Sequence, residues 1–438
     1  KVERKGRKAK MKVVIMAGGR GTRIAPVQDH VPKPMIPVAK RPVIEYGIRC
    51  LARQGYTDIT LVVGYLGRII QDYFGDGSKF GVSLTYFVEK EPLGTAGALF
   101  RMYAAGMIQE DFFLINGDIM LDIDFRRMEE YHRKKGGYGT IFTHPNSHPQ
   151  DSALIFADSE KRIVRWLNKE DERTLYKNRV NAGIHIISPR LLKDRNLAGK
   201  VDLDREVLKP CVPGGGLYVY DSPEYVKDMG TPQRYYEVCD DVAKGKVSAR
   251  NLGKKQKAVF LDRDGTLNKY CGFVRQASQI ELTDGAAEAL AEINKSGYLA
   301  IVVTNQPVIA RGECTLEELN RIHNRLETLL GEAGAWLDDI FFCPHHPEKG
   351  FAGERTEYKI QCDCRKPKPG LLLRAAEQYN IELSESYMVG DSGTDIIAGK
   401  AAGCRSIYIG TDREIPCTPD AVCGSLPEFV YKYITTKE

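Results

Sequence analysis

Short apolar runs alternate with helically spaced segments along most of the chain, and the apolar runs end in polar or acidic residues. Lys12–Met16 reads as a buried strand that stops at a glycine-rich turn. Val43–Gln54 carries Ile44, Ile48 and Leu51 at helical spacing and stops at Gly55. Ile59–Val63 and Phe112–Ile115 predict further strands, the second followed by Asn116-Gly117-Asp118. The cycle restarts at Ala258–Leu261, which ends in Asp262, and continues with a helix over Ala286–Ser296 closed by Gly297. Leu299–Val303 runs into Thr304-Asn305, and Tyr387–Val389 into Gly390-Asp391. Strands alternating with helices predict an α/β architecture with two mostly parallel, Rossmann-like sheets. Such sheets bind ligands beyond their strand C-termini, which is where these polar residues fall.

Composition adds limits. The 438 residues are 42% hydrophobic and 28% charged, ordinary values for two or three globular domains. No apolar run approaches the roughly 18 residues of a spanning helix, so a soluble, cytoplasmic protein with no membrane partner is expected. The net charge of +5 is unevenly placed. Residues 1–12 hold seven Lys/Arg against one Glu, and residues 244–257 hold six against none. Taking these +6 and +6 from the net +5 leaves −7 on the remainder. This predicts a basic extension over 1–10 and a basic linker over 241–256, separating domains at 11–240 and 257–438. Nucleic-acid binding would need a basic stripe on a folded face, and the pattern supplies none. Eleven cysteines is an odd number for a disulfide framework. Three of them cluster with a histidine, which favours reduced thiols and a metal site.

The turn Ala17-Gly18-Gly19-Arg20-Gly21-Thr22-Arg23 follows the first strand. Glycines let backbone N–H groups approach a phosphate chain, and Arg23 adds a forked cation. Taken alone, the turn fits a surface loop equally well. Neither the P-loop spacing nor GxGxxG is present. Pro32-Lys33-Pro34-Met35 follows, then Leu93-Gly94-Thr95-Ala96-Gly97, Asn116-Gly117-Asp118, Asn181-Ala182-Gly183 and Asp228-Met229-Gly230-Thr231-Pro232. In that order, over roughly residues 11–240, the motifs resemble the sugar-1-phosphate nucleotidylyltransferases. The resemblance implies a nucleotide-binding fold in which a sugar 1-phosphate attacks the α-phosphorus of a nucleoside triphosphate. It assigns phosphate contacts to Arg23 and Lys33 and Mg²⁺-binding carboxylates to Asp118 and Asp228. Gly18, Gly19, Gly21, Thr22, Gly94, Thr95, Asn181 and Gly183 become substrate-binding positions. Lys169 becomes a sugar-phosphate contact, although Asn168-Lys169-Glu170 departs from the family's Glu-Lys-Pro. Glu89 stands five residues before Gly94, where members contact the base. A carboxylate accepts only, which suits the two adjacent N–H donors of guanine and points to GTP. A solvated charge within Glu89-Lys90-Glu91 is the alternative.

The second half carries Phe260-Leu261-Asp262-Arg263-Asp264-Gly265-Thr266, Thr304-Asn305, Lys366, and Asp391 with Asp395. Two carboxylates one residue apart at a strand end can divide nucleophilic attack from proton transfer. The set resembles the haloacid-dehalogenase phosphatases over residues 257–438. The resemblance makes Asp262 the nucleophile and Asp264 the general acid and base. Asp391 holds Mg²⁺ with Asp262 and the backbone carbonyl of Asp264, and Asp395 supports that site. Thr304 and Lys366 bind phosphoryl oxygens, and Asn305 and Arg365 border the substrate.

Cys343-Pro344-His345 and Cys362-Asp363-Cys364 supply three thiolates and an imidazole, a set for closed, structural Zn²⁺. His346 is an alternative to His345. Within the superfamily these pairs and the Asp-Arg-Asp-Gly-Thr-Leu-Asn start resemble the heptose 1,7-bisphosphate 7-phosphatases, with histidinol-phosphate phosphatases next. Where those read Asn-Gln-Ser-Gly-Ile, this chain reads Asn305-Gln306-Pro307-Val308-Ile309. Valine resists the positive φ open to glycine, so a different substrate-facing loop is expected.

Together the halves predict a bifunctional enzyme of GDP-heptose synthesis, acting on sugar phosphates and GTP. The alternative is a mannose-1-phosphate guanylyltransferase, or another sugar-1-phosphate nucleotidylyltransferase, fused to a histidinol-phosphate-type phosphatase. The sequence is compatible with a homo-oligomer and leaves the oligomeric state open.

Overall fold

The computed structural model describes residues 10–19, 30–193, 195, 197, 199–410 and 417–437. The chain folds as two compact units. The first runs to Thr143 and adds Ile155–Trp166 and Asn181–Asn251. The second gathers the chain from Leu252 onward with two earlier stretches, His144–Leu154 and Leu167–Val180.

In the first unit, β1 (Lys12–Met16), β2 (Asp58–Val63), β3 (Ser83–Val88) and β4 (Phe112–Asn116) pair in parallel in the order β3-β2-β1-β4. Strands β1, β2 and β4 are Val/Ile/Leu/Phe-rich because both faces are covered, whereas β3 is a half-exposed edge strand. Helix α1 (Val43–Arg53) buries Val43, Ile44, Ile48 and Leu51 along one stripe, as the spacing predicts. Strand order reverses between β2 and β4 on either side of β1, which opens a crevice at the strand ends. Beyond β4, strand β5 (Ile119–Asp122) leaves the main sheet, and β6 (Val180–Ile187) returns antiparallel to β4. Strand β7 (Tyr225–Asp228) pairs antiparallel with β5, setting Asp228 opposite Ile119. The basic stretch 241–256 is folded: α2 (Pro232–Ala243) is followed by the short helix Lys246–Ala249, with Val247 buried.

The second unit is a six-stranded parallel sheet. Its strands are β8 (Ala258–Leu261), β9 (Leu299–Asn305), β10 (Asp339–Cys343), β11 (Tyr387–Gly390), β12 (Arg405–Ile409) and β13 (Ala421–Cys423). They lie in the order β10-β9-β8-β11-β12-β13. This is the doubly wound order, and its switch point falls between β8 and β11. Helix α3 (Ala286–Lys295) buries Leu290 and Ile293 against the sheet. Helix α4 (Leu316–Glu332) opens with a capping box between Thr315 and Glu318.

The two early stretches are built into this unit by hydrogen bonds. Tyr176 N–H donates to Thr328 Oγ1 at 3.0 Å and Asn178 N–H to Glu327 Oε2 at 2.9 Å. The Arg179 guanidinium lies 3.3 Å from Glu327 Oε2 and donates to the Asp338 carbonyl at 2.7 Å.

Candidate active sites

The ends of β1, β2 and β4 are stitched together in the first unit. Ala17 N–H donates to Val62 O at 2.8 Å, and Gly117 N–H to Met16 O at 2.9 Å. Glu89, just past β3, reaches back to this edge. A Cβ on Gly18 would stand 2.5 Å from Glu89 Oε2, so only glycine admits the carboxylate there. Glu89 is half-buried, and among the described residues its Oε1 has no hydrogen-bond partner. Burial raises its pKa against the opposing pull of the Leu93 amide and Arg101. Glu89 is therefore an acceptor-only group at the crevice, not a solvated surface charge.

Lys33 sits in a single 3₁₀ turn, Lys33–Met35, and its ammonium lies 2.5 Å from Asp118 Oδ2. Antiparallel pairing of β5 and β7 brings Asp228 beside the same end of β5. Arg234 Nη1 contacts both Asp228 oxygens at 3.0 and 3.1 Å, and Gly230 N–H donates at 3.0 Å. Asp118, in the turn that leads into β5, and Asp228, at the end of β7, bring hard carboxylate oxygens, the donor type Mg²⁺ takes, to one end of this strand pair.

The remaining first-half positions divide. Gly94 and Thr95 brace the 201–203 segment: Thr95 Oγ1 accepts from Leu203 N at 2.7 Å, and a Cβ on Gly94 would strike the Val201 carbonyl. Asn181 is held on three sides. Its Oδ1 accepts from Gly183 N–H at 3.0 Å and lies 3.0 Å from His185 Nε2. Its Nδ2 donates to both Asp204 oxygens at 3.2 and 3.3 Å. Burial, reinforced by Asp202, raises Asp204 to about 6, and burial lowers His185 to about 4. Gly183 packs directly on Asn116. Gly19 is exposed with open space around it. Lys169 is exposed in the Leu167–Val180 stretch, which belongs to the second unit. Gly21, Thr22 and Arg23 lie outside the described residues.

In the second unit, β8, β9 and β11 deliver their terminal residues to the switch point. Ligand oxygens of Asp262, Asp391 and Asp395 lie within 4.8 Å of one another, a set able to hold a divalent cation. Gly265 has φ of +83°, and a Cβ there would overlap Asp391 Oδ2. Lys366 spans the cluster: its ammonium reaches Asp262 Oδ1 at 2.9 Å, Asp395 Oδ1 at 2.6 Å and the Val303 carbonyl at 2.8 Å. The ammonium thus makes one hydrogen bond, to the carbonyl, and two ion pairs. Burial opposes the lysine's charge, but Asp262 and Asp395 outweigh it and raise the pKa. Burial and Asp395 raise Asp262 to about 7, against the pull of Lys366. Asp395 is fixed by Ser392, whose N–H and hydroxyl donate at 3.0 and 2.7 Å.

The Asp264 side chain does not join this cluster. Arg263 and Asn268 donate to its Oδ1, and Gln306 to its Oδ2 at 3.0 Å. Thr304 is buried at the end of β9. Asn305 exchanges a reciprocal pair with the Lys366 backbone, both at 3.0 Å, and so fastens the loop that carries the lysine. Arg365 donates to the His345 carbonyl at 3.2 Å. Val308 is fully buried in the core, and the positive φ of its loop falls at Gly312 instead. The valine is a packing residue there.

Cys343, His345, Cys362 and Cys364 converge with donor separations of 3.3 to 3.7 Å. Edges of a tetrahedron around an ion about 2.3 Å from each sulfur are roughly 3.8 Å, so the cluster fits one metal ion. His346 turns away, edge-on to Phe351.

The chain matches the nucleotidyl transferase family model over residues 12–245 and the haloacid dehalogenase-like hydrolase model over residues 158–403. It belongs to both families. The hydrolase match starts inside the stretch that the transferase model covers, whereas every hydrolase site residue follows β8. A relative from Pasteurella multocida, D-glycero-beta-D-manno-heptose-1,7-bisphosphate 7-phosphatase, is 46% identical over 154 residues, 35% of this chain and 81% of its own. The Escherichia coli K12 protein of the same name is 39% identical over 171 residues, 39% of this chain and 86% of its own. Among solved structures, HddC from Yersinia pseudotuberculosis complexed with GMP-PN gives a TM-score of 0.46 at 25% identity. It covers 53% of this chain and all of its own. The chain is thus an enzyme with a nucleotidyl transferase part and a phosphatase part. Among the described residues no helix is long and apolar enough to cross a membrane.

Three groups escaped sequence reasoning: Arg263, Gln306 and Asp204. Arg263 is wholly buried between the two motif aspartates. A charged residue in the middle of an apolar-to-acidic strand end was the available signal for it.

Proposed function

We propose that this enzyme removes the 7-phosphate of a heptose 1,7-bisphosphate and then transfers GMP from GTP to the resulting heptose 1-phosphate. One observation carries the reading. A half resembling heptose bisphosphate phosphatases, at 46% identity, shares a chain with a nucleotidyl transferase, so the first reaction's product is an acceptor for the second.

In the phosphatase half, Asp262 Oδ attacks phosphorus and the bond to the sugar oxygen breaks. Asp264 gives that oxygen a proton, then takes one from the water that cleaves the aspartyl phosphate. Lys366 and Thr304 bind the phosphoryl oxygens. Asp262 and Asp391 would hold Mg²⁺ with the Asp264 backbone carbonyl, and the ion would neutralise phosphate charge.

In the transferase half, an oxygen of the sugar 1-phosphate attacks the α-phosphorus and pyrophosphate leaves. Lys33, beside Asp118, offsets phosphate charge, Asp118 and Asp228 would hold Mg²⁺, and Glu89 reads guanine through its carboxylate. Gly18 and Gly19 lie toward the triphosphate; Gly21, Thr22 and Arg23, the phosphate-loop positions assigned by the resemblance, lie outside the described residues. Zinc in the Cys343, His345, Cys362 and Cys364 cluster leaves no open ligand position and is structural. The domains divide at 11–240 and 257–438, with 241–256 joining them.

The test supplies heptose 1,7-bisphosphate, GTP and Mg²⁺ to the full chain and looks for GDP-heptose by mass. Turnover of histidinol phosphate with none of the bisphosphate overturns the sugar assignment.

A further inference from the structure

Gln306 lies immediately past β9, in the loop that leaves Thr304 and Asn305. It is buried, and each of its polar groups has a partner. Its side-chain Nε2 donates to Asp264 Oδ2 and to Thr304 Oγ1, both at 3.0 Å. Its Oε1 accepts from Arg263 Nη2 at 3.0 Å. Its backbone N–H donates to the carbonyl of Cys343 at 2.8 Å.

The amide can sit only one way round. Arginine has no acceptor, so the oxygen of Gln306 must face Arg263, and the NH₂ must then face Asp264 and Thr304. Arg263 has no exposed surface and also grips both Asp264 oxygens, at 2.8 to 3.1 Å. One buried amide therefore joins the group that moves protons to the group that binds the phosphoryl oxygens, and its far end rests on the Cys343 backbone. Displacing a proton-transfer group by about 1 Å can cost on the order of 100-fold in rate.

We propose that Gln306 is a positioning residue of the phosphatase site: it fixes Asp264 relative to Thr304, and Arg263 fixes Gln306. The inference rests on the reading of Asp262 as nucleophile and Asp264 as proton-transfer group. It predicts a step-specific defect. With p-nitrophenyl phosphate, the Asp262 oxygen bonds to phosphorus while the phenolate leaves without needing a proton. Breakdown of the aspartyl phosphate still needs Asp264 to deprotonate the attacking water as the phosphorus–aspartyl bond breaks.

The experiment mixes the full-length enzyme, Gln306→Glu or Gln306→Leu, with p-nitrophenyl phosphate and Mg²⁺ in a stopped-flow instrument. Gln306→Glu keeps the shape and the acceptor for Arg263 but loses both donated bonds. Gln306→Leu loses all three side-chain bonds. Both variants should show a nitrophenolate burst approaching one per active site, then a steady rate lowered about 100-fold. KM should fall together with kcat, leaving kcat/KM within about threefold of the parent's, since only breakdown of the aspartyl phosphate is slowed. A steady rate equal to the parent's, or a fall without a burst in the folded Glu variant, overturns the proposal. A parent chain that releases no nitrophenolate while its Asp262→Asn variant behaves identically overturns the phosphatase reading, and this inference with it.

Discussion

Arg179 and Glu327 form an ion pair whose side chains are 2% and 1% exposed, 148 residues apart in sequence. Glu327 accepts from the Asn178 backbone as well, and Arg179 also caps the carbonyl of Asp338. Each side chain offsets the cost of burying the other's charge. Arg179→Met or Glu327→Met should each destabilise the second unit by about 3–5 kcal/mol, and the double variant should recover part of the loss. Urea unfolding followed by phosphate release measures this; additive single effects would contradict it. A chain starting at Leu252 lacks Arg179 and should unfold at lower urea than the full chain.

The two chemistries use separate residues. Asp262→Asn removes the proposed nucleophile and should lower phosphate release at least about 1000-fold, with pyrophosphate release within about twofold of the parent. Asp118→Asn should do the reverse. Loss of both activities in either folded variant would show that the halves depend on each other.

Cys362→Ser removes one of four converging donors. Bound zinc, measured by elemental analysis, should fall well below one per chain, and the melting temperature should drop. Structural zinc contributes on the order of 10 kcal/mol in small peptides, so the loss should be large. A parent protein purified without chelators and free of zinc would remove the assignment.

Glu89→Gln replaces an acceptor-only group with one donor and one acceptor. The ratio of GTP to UTP use should fall about tenfold or more, read from pyrophosphate release with each nucleotide. An unchanged order of nucleotides would place base reading elsewhere.

Asp204 carries a pKa raised from 3.8 to about 6, with burial the main cause. The folded form holds this proton more tightly than the unfolded chain. The stability it contributes is therefore full below about pH 4 and lost as pH rises through about 6. Asp204→Asn cannot lose a proton, so it should gain on the order of 1 kcal/mol over the parent between pH 4 and pH 7. Melting temperatures across that range decide it, and a constant difference would contradict it.

Strand positions were legible because burial on both faces leaves an unbroken apolar run with a polar stop. Lys12–Met16 and Ala258–Leu261 match their expected bounds, and α1 ends at Arg53, one residue short. The metal-capable cysteines were legible because two tight pairs fix four donors within two short turns. Glu89 stayed ambiguous because its environment depends on Gly18, 71 positions earlier and two strands away. Gln306 was hidden for the same reason: its partners Arg263 and Asp264 sit on another strand end. Valine for glycine at 308 looked like a change in the substrate loop, but the side chain turns into the core. The docking of 167–180 has no local signature, since its partners on α4 lie some 150 residues on.

That docking has a consequence during synthesis. The ribosome adds about 5–20 residues per second, so Arg179 waits roughly 7–30 s before Glu327 is made. Throughout that interval the amides of Tyr176 and Asn178 also lack their eventual acceptors on α4. The chain therefore emerges with a polar stretch, 167–180, whose partners have not yet been translated, and that stretch reaches its final place only after α4 has followed it out.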